Sequence, residues 1–252
     1  MRRLVALIGL ALATTAVDRD VRACSCVGPR LWFLSPRASD DAPRNVHVRV
    51  MVPTGTSTAS LLLRVHGGAD VPTQTKTYAG SSVTIAELVP TATLAAQTRF
   101  EVATFEPTAH PPTTVIGTFK TGATEDTSAP RLDSLGRPRT RINARYGGGD
   151  CSIHGPWIEL ANVAAHDDRG DEKLAFAVWG PDARGRLDTH RAPDTLVFPN
   201  NGRISIGQTS LCDTSRFPLS GSAVTLAVAA VDDAGNTSRA LTFRADLTRN
   251  SP

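Results

Sequence analysis

Lysine is nearly missing: three residues are Lys against 24 Arg. That skew reads as the codon usage of a GC-rich genome, not as a nucleic-acid-binding surface. The formal charge is +3. Removing residues 1–23 takes away four Arg and two Asp and leaves +1, so there is no general electrostatic case for DNA, RNA or anionic membrane. No Lys-Ser or Lys-Thr follows Gly147-Gly148-Gly149, which excludes a phosphate loop. There is no CxxC, and a metal reading of the four cysteines is weak. No Ser or Cys sits in a nucleophile-elbow motif. Outside the N-terminus no stretch shows a long 3.6-residue period or approaches a transmembrane length. Nothing in the chain calls for a cofactor.

What is present begins at the N-terminus. Arg2 and Arg3 precede an apolar run, Leu4 to Val17, and Val21-Arg22-Ala23 stands directly before Cys24-Ser25-Cys26. A basic n-region, an apolar h-region and small residues at the cleavage positions are the layout of a secretory signal peptide. The apolar run is about 14 residues, short of the roughly 20 that span a bilayer. Residues 1–23 are therefore read as a cleaved signal peptide. The mature chain is expected to be exported, to the cell envelope, periplasm or outside, with no transmembrane span. Val-Arg-Ala-Cys also loosely matches a lipobox, which makes Cys24 the residue for a lipid anchor. Arg22 and the polar Asp18–Asp20 segment weigh against that and favour a simple secreted form.

The four cysteines are Cys24, Cys26, Cys151 and Cys212. An even count in an exported chain suggests disulfides, and four cysteines allow three pairings. Cys151–Cys212 is the simplest, since both fall in one half of the chain. It would close a loop of about 60 residues and stabilise by roughly 4 kcal/mol in the chain-entropy account.

The organisation after residue 23 is β throughout. A leader, 24–34, carries Trp32 and Phe33. Asn45 to Val52 alternates Val46, Val48, Val50 and Val52 with His47, Arg49 and Met51, the pattern of a half-buried strand. Leu61–Val65, Ser82–Leu88, Arg99–Phe105 and Val115–Lys120 follow. Residues 123–130, small and polar and ending in Pro130, read as a linker. Beyond it come Trp157–Val163, Leu174–Trp179, Thr195–Phe198, Arg203–Ile206, Ala223–Val231 and Ala240–Leu247. Many short strands with regular turn signals predict an all-β chain of two Ig-like β-sandwich domains in tandem. Arg131, Arg137, Arg139, Arg141 and Arg145 fall in Pro/Gly-rich sequence and read as a solvated loop.

Residues 35–122 resemble the bacterial Ig-like domain of the S-layer (SbsA-type) group. The resemblance rests on Ser35-Pro36, the turn Asp40–Arg44 before Asn45-Val46-His47-Val48, the run Pro90 to Val102, and the ending Thr118-Phe119-Lys120-Thr121-Gly122. The group often has Tyr where this chain has Phe100, so packing is expected there and no tyrosine corner. Residues 126–249, with the lead-in Asp126-Thr127-Ser128-Ala129-Pro130 and the turn Asp232-Asp233-Ala234-Gly235-Asn236, resemble a divergent Ig-like or fibronectin-III-like module. These resemblances imply fold, not activity.

The leading functional reading is a non-catalytic module for surface display, adhesion or spacing, its partner a cell-surface protein or glycan and not a nucleic acid. Two alternatives stand beside it. Trp157 and Trp179 could stack on sugar rings as a carbohydrate-binding platform. A secreted hydrolase could use His154, His166 and nearby acids. Asp167-Asp168, Asp171-Glu172 and Asp232-Asp233 could meet at one end of a sandwich and hold Ca²⁺, against the plainer reading of solvated loop acids.

Overall fold

A computed structural model describes residues 31–36, 40–53, 55–79, 83–105, 113–142, 156–200, 202–207, 217 and 219–250. The N-terminal segment, all four cysteines, Arg145, His154 and the Gly147–Gly149 turn lie outside them.

The first half contains β1 (Trp32–Ser35), β2 (Val48–Pro53), β3 (Leu61–Val65), β4 (Thr73–Ala79), β5 (Val83–Pro90), β6 (Arg99–Phe105) and β7 (Thr113–Lys120). They form two antiparallel sheets, ordered β1-β2-β5-β4 and β3-β6-β7. Labelled A to G in chain order, that is ABED against CFG, the constant-type immunoglobulin arrangement. Val48, Val50 and Val52 face Leu63, Phe100, Val102 and Phe119 across the first core. Phe100 stacks on Phe119 with centroids 5.5 Å apart, so the ring packs where a Tyr hydroxyl would have tied the corner. Trp32 to Ser35, placed by the sequence at the end of a leader, pairs with β2 as an edge strand. Phe33 lies so close to Gly117 of β7 that a Cβ there would sit 2.3 Å from the ring.

The second half contains β8 (Arg131–Ser134), β9 (Arg137–Ile142), β10 (Pro156–Ala161), β11 (Ala164–His166), β12 (Ala175–Trp179), β13 (Thr195–Val197), β14 (Arg203–Gly207), β15 (Ala223–Val231) and β16 (Leu241–Asp246). Its sheets run β14-β10-β9 and β13-β12-β15-β16, with β8 and β11 as a separate ribbon. Three strands against four is the arrangement of fibronectin-type-III sandwiches. Ile158, Leu160, Ile204 and Ile206 meet Phe176, Val178, Leu226 and Val228 in the second core. The Arg-rich segment is therefore not a loop. Arg137, Arg139 and Arg141 stand on β9, paired residue by residue with β10.

A third core joins the halves. Ile85 of β5, with Leu34 and Tyr78, packs against Ala177 and Trp179 of β12 and Ala227, Ala229 and Val231 of β15. Alternation explains it. On β15, Val224, Leu226, Val228 and Ala230 point into the second core, and Ala227, Ala229 and Val231 point the other way. Both faces of β15 are apolar, so both must be covered. The outward residues are mostly alanine, which lets another sheet approach closely. Four sheets thus stack in layers, with the two four-stranded sheets meeting face to face.

This contact corrects the half-buried reading of β2. The face carrying Arg49 is not solvated: Arg49 is 0 % exposed, the largest fully buried side chain among the described residues. The tryptophan platform is corrected as well. Trp157 is 7 % and Trp179 5 % exposed. Trp179 lies in the seam, its Nε1 donating to the Arg191 carbonyl at 2.9 Å. Neither ring offers a face for a sugar.

Candidate functional site

The residues with unusual chemistry gather where the two sandwiches meet. After β7 the chain does not run free. Gly122 N donates to the Ala42 carbonyl at 2.7 Å, and Arg44 N donates to the Thr124 carbonyl at 3.0 Å. Asp126, 5 % exposed, is held from both sides. Asn45 accepts from its N–H and donates to its carbonyl, at 2.8 and 2.7 Å. Asn236 of the second half donates to the same carbonyl at 3.1 Å. Across the seam, Ser35 Oγ donates to Asp233 Oδ1, His47 N donates to the Asp233 carbonyl at 2.7 Å, and Arg169 Nη2 donates to the Asp41 carbonyl at 2.6 Å. Gly235, at φ +85°, lies under His47, where a Cβ would be 2.3 Å from the imidazole. A positive φ and that close approach both require glycine.

Two polar clusters occupy this junction. The first lies on the seam face of the β1-β2-β5-β4 sheet. Arg49 Nε donates to Glu87 Oε1 at 3.0 Å, and the Tyr78 hydroxyl donates to Glu87 Oε2 at 2.9 Å. His47 Nδ1 stands 3.3 Å from Glu87 Oε1 but finds no hydrogen-bond geometry. Burial works to raise the Glu87 carboxyl. The nearness of His47, the Arg49 charge and the Tyr78 hydroxyl outweigh it and bring the group down to about 2. Burial, together with Glu87, drives the Tyr78 phenol well above its ordinary range. Arg49 Nη1 and Nη2 are buried without a hydrogen-bond partner. A guanidinium this incompletely paired adds little net stability. The pair lies within one sheet, Arg49 on β2 directly opposite Glu87 on β5.

The second cluster is acidic. Asp126, Asp167 and Asp168 each offer a carboxylate oxygen, and these oxygens lie within 4.8 Å of one another. Asp167 Oδ1 is buried with no hydrogen-bond partner. Burial raises the Asp167 carboxyl, and Asp126, Asp168 and Asp233 add to the rise. Beside them Asp232, 1 % exposed, accepts from Ala234 N, Asn236 N and Asn236 Nδ2. Burial first, then Asp126 and Asp167, push it up to about 6. The donors are all oxygen, the set that suits Ca²⁺ or Mg²⁺ over a softer ion. A divalent cation held among them would cancel the repulsion and return Asp232 toward the ordinary carboxylate range.

Of the acids named from sequence, Asp167-Asp168 and Asp232-Asp233 do come to this end. Asp171-Glu172 does not join them. Asp171 Oδ2 lies 3.0 Å from His166 Nδ1, and Asp171 Oδ1 accepts from Asp167 N at 2.8 Å. His166 is thus partnered by Asp171, not by its neighbour Asp167. The pair borders a cleft of about 520 Å³ lined by Glu172, Phe176, Ile204 and other residues. Among the described residues, no hydroxyl or thiol lines the cleft beside this pair. Sequence reasoning missed Asp126, which it read as linker, and the Arg49–Glu87 pair. Asn45 and Asn236 are the turn residues that could have flagged Asp126.

Stability should have two pH limbs. Asp232 has a folded value of about 6 against an ordinary 3.8. Its contribution is full below about pH 4 and is lost as pH rises through 6. Asp167 and Asp233 are raised too and add to that limb. Glu87 at about 2 against an ordinary 4.5 contributes above that value, and the contribution is lost as pH falls toward 2. The melting temperature should therefore peak at about pH 4–5. Asp232→Asn should shrink the upper limb and leave the lower one. Scanning calorimetry from pH 2 to 8 checks both; a melting temperature that climbs steadily to pH 7 would contradict the assignment.

No family model matches the chain, and no curated protein is similar to it. Among solved structures it is similar to a pullulanase from Anoxybacillus sp. LM18-11, at 8% identity and TM-score 0.25, over 86% of this chain and 25% of the pullulanase. It is also similar to fibronectin(III)-like modules of Clostridium thermocellum CbhA, at 10% identity and TM-score 0.24, over 86% of this chain and 94% of that one. Tandem Ig repeats of Dlar give 10% identity and TM-score 0.22, over 85% and 96%. The chain spans a quarter of the pullulanase's length. At these scores the fold rests on the chain's own sheet order.

Proposed function

We propose that this chain is an exported, non-catalytic bacterial cell-envelope or secreted protein whose two sandwiches act as one rigid unit in display, adhesion or spacing. One observation carries the reading: the apolar face of β12 and β15 is buried against β5, and Asp126 is hydrogen-bonded to loops of both halves. An ordinary interdomain contact is small and polar and leaves the domains free to move. A seam with its own apolar core transmits orientation and load instead. The S-layer-type kinship of residues 35–122, cleavage after Ala23 and a Cys151–Cys212 disulfide belong to the same reading and rest on sequence.

Limited proteolysis tests the rigidity. Glu125 is exposed in the connecting segment and accepts from the Thr93 hydroxyl at 2.9 Å. A Glu-specific protease should leave the Glu125–Asp126 bond intact while the protein is folded, because Asp126 is fixed on both sides. Rapid cleavage into two stable fragments would show hinged domains and overturn the reading. Intact mass of the exported protein settles the N-terminus: a chain starting at Cys24 without added lipid is expected, and a retained Met1 would refute export.

A further inference from the structure

The β14-β10-β9 sheet has one face turned away from the second core, covered at its Trp157 end, where Trp157 is 7 % exposed, and open toward Arg137. Thr140 pairs with Ile158 and Pro138 with Leu160, and both partners point into the second core. The alternate residues Arg137, Arg139 and Arg141 therefore stand on the outer face. The register sets Arg137 opposite Ala161, Arg139 opposite Glu159 and Arg141 opposite Trp157, with Arg203 of β14 beyond Ala161. Outward residues on a strand repeat at about 6.8 Å, and β9 and β14 lie about 9.6 Å apart. Four arginines thus share one face with a single carboxylate among the described residues. That carboxylate, Glu159, stands 3.4 Å from Arg203. Arg137, Arg139 and Arg141 make no ion pair or side-chain hydrogen bond among the described residues, although Arg137 is exposed and the other two are half-buried.

A row of arginines with one facing carboxylate among the described residues repels itself, so its placement on one edge strand needs a reason. Each guanidinium offers a planar fork that fits sulfate, phosphate or carboxylate with two parallel hydrogen bonds. Three forks in a straight line, with a fourth across the sheet, match a ligand bearing anionic groups at regular intervals on an extended chain. Among the described residues no exposed aromatic accompanies them, since Trp157 on this face is buried. Single-stranded nucleic acid is held by stacking as well as charge, and the described residues of this face offer no stacking. We propose that the outer face of β9 and β14 binds a linear anionic polysaccharide, with Arg137, Arg139, Arg141 and Arg203 meeting its sulfate, phosphate or carboxylate groups. The site does not depend on the rigid seam, and its failure would leave that reading standing.

The test is binding of dextran sulfate by the full mature chain at low ionic strength, with neutral dextran and a DNA duplex as comparators. The wild type should bind dextran sulfate, lose it as salt rises, and ignore neutral dextran. R137A/R139A/R141A should weaken binding about tenfold or more. R99A/R184A/R244A, which removes the same charge from exposed arginines elsewhere, should bind like wild type. R137K/R139K/R141K keeps the charge and loses the fork, and should fall between; it also decides the matter if the alanine variant misfolds. Equal losses in the two alanine triples would reduce the effect to net charge and overturn the site. So would absence of binding, a lysine triple equal to wild type, or duplex DNA bound as tightly as dextran sulfate.

Discussion

Removing either partner of the Arg49–Glu87 pair should cost about 3–5 kcal/mol, whereas removing both should be close to neutral. Arg49→Met leaves the Glu87 carboxylate, held at about 2, buried without its cation. Glu87→Leu leaves a guanidinium that is 0 % exposed with no acceptor for its Nε. The double variant strands no charge and fills the same space with apolar atoms. It also relieves the two unpartnered Nη atoms of Arg49, so it can come out more stable than wild type. Urea unfolding of the four proteins gives the cycle directly, and the coupling between the two sites should be several kcal/mol and favourable. Additive single effects would mean that the pair is solvated after all and that the seam admits water.

Trp179→Ala should be the most damaging change in the apolar part of the seam. The indole is 5 % exposed, contributes to the third core and donates to the Arg191 carbonyl. Truncation leaves a large cavity and strands that carbonyl, at about 3–5 kcal/mol. The location of the loss is the informative part. The second core keeps Phe176 and Val178 on the same strand, so that sandwich retains its own support. Calorimetry should change from one cooperative transition to two, as the halves melt separately. A single transition shifted uniformly downward would place Trp179 in the support of one sandwich rather than between two.

The strands that were legible in sequence are those with apolar alternation. Leu61–Val65, Arg99–Phe105 and Ala223–Val231 were read at the bounds they occupy. The strands that were missed are β1, β4, β8, β9 and β11. β4, Thr-Gln-Thr-Lys-Thr-Tyr-Ala, and β9, Arg-Pro-Arg-Thr-Arg-Ile, are edge strands. Each has a neighbour on one side only and carries polar or charged residues that discourage further pairing, so hydrophobic period is weak in them by design. Arg49 failed for a different reason. A charged residue in a strand is normally evidence of a solvent face, and nothing local to β2 says that a second sandwich will cover it. The available signal lay far away, in β15, where Leu226-Ala227-Val228-Ala229-Ala230-Val231 has no polar face at all. A strand apolar on both sides implies two neighbours, and the second is the β1-β2-β5-β4 sheet. The acidic cluster was half legible. Its loop pairs Asp167-Asp168 and Asp232-Asp233 stand out, but Asp126 joins them only because Asn45 and Asn236 clasp the connecting segment.

The alanine-lined wall of β12 and β15 has a consequence for how the chain can be handled. Divide it between Gly122 and Pro130, and neither piece is a finished protein. The C-terminal piece would expose a broad sheet surface of Ala177, Trp179, Ala227, Ala229 and Val231, a sticky patch that invites aggregation. The N-terminal piece would expose Ile85 and Tyr78 together with an ion pair suddenly in water. Each piece is the complement the other needs, in shape and in charge. Made separately they should be poorly soluble; made together they should find one another, and the chain would work as a two-part reporter that assembles only when its halves are brought within reach.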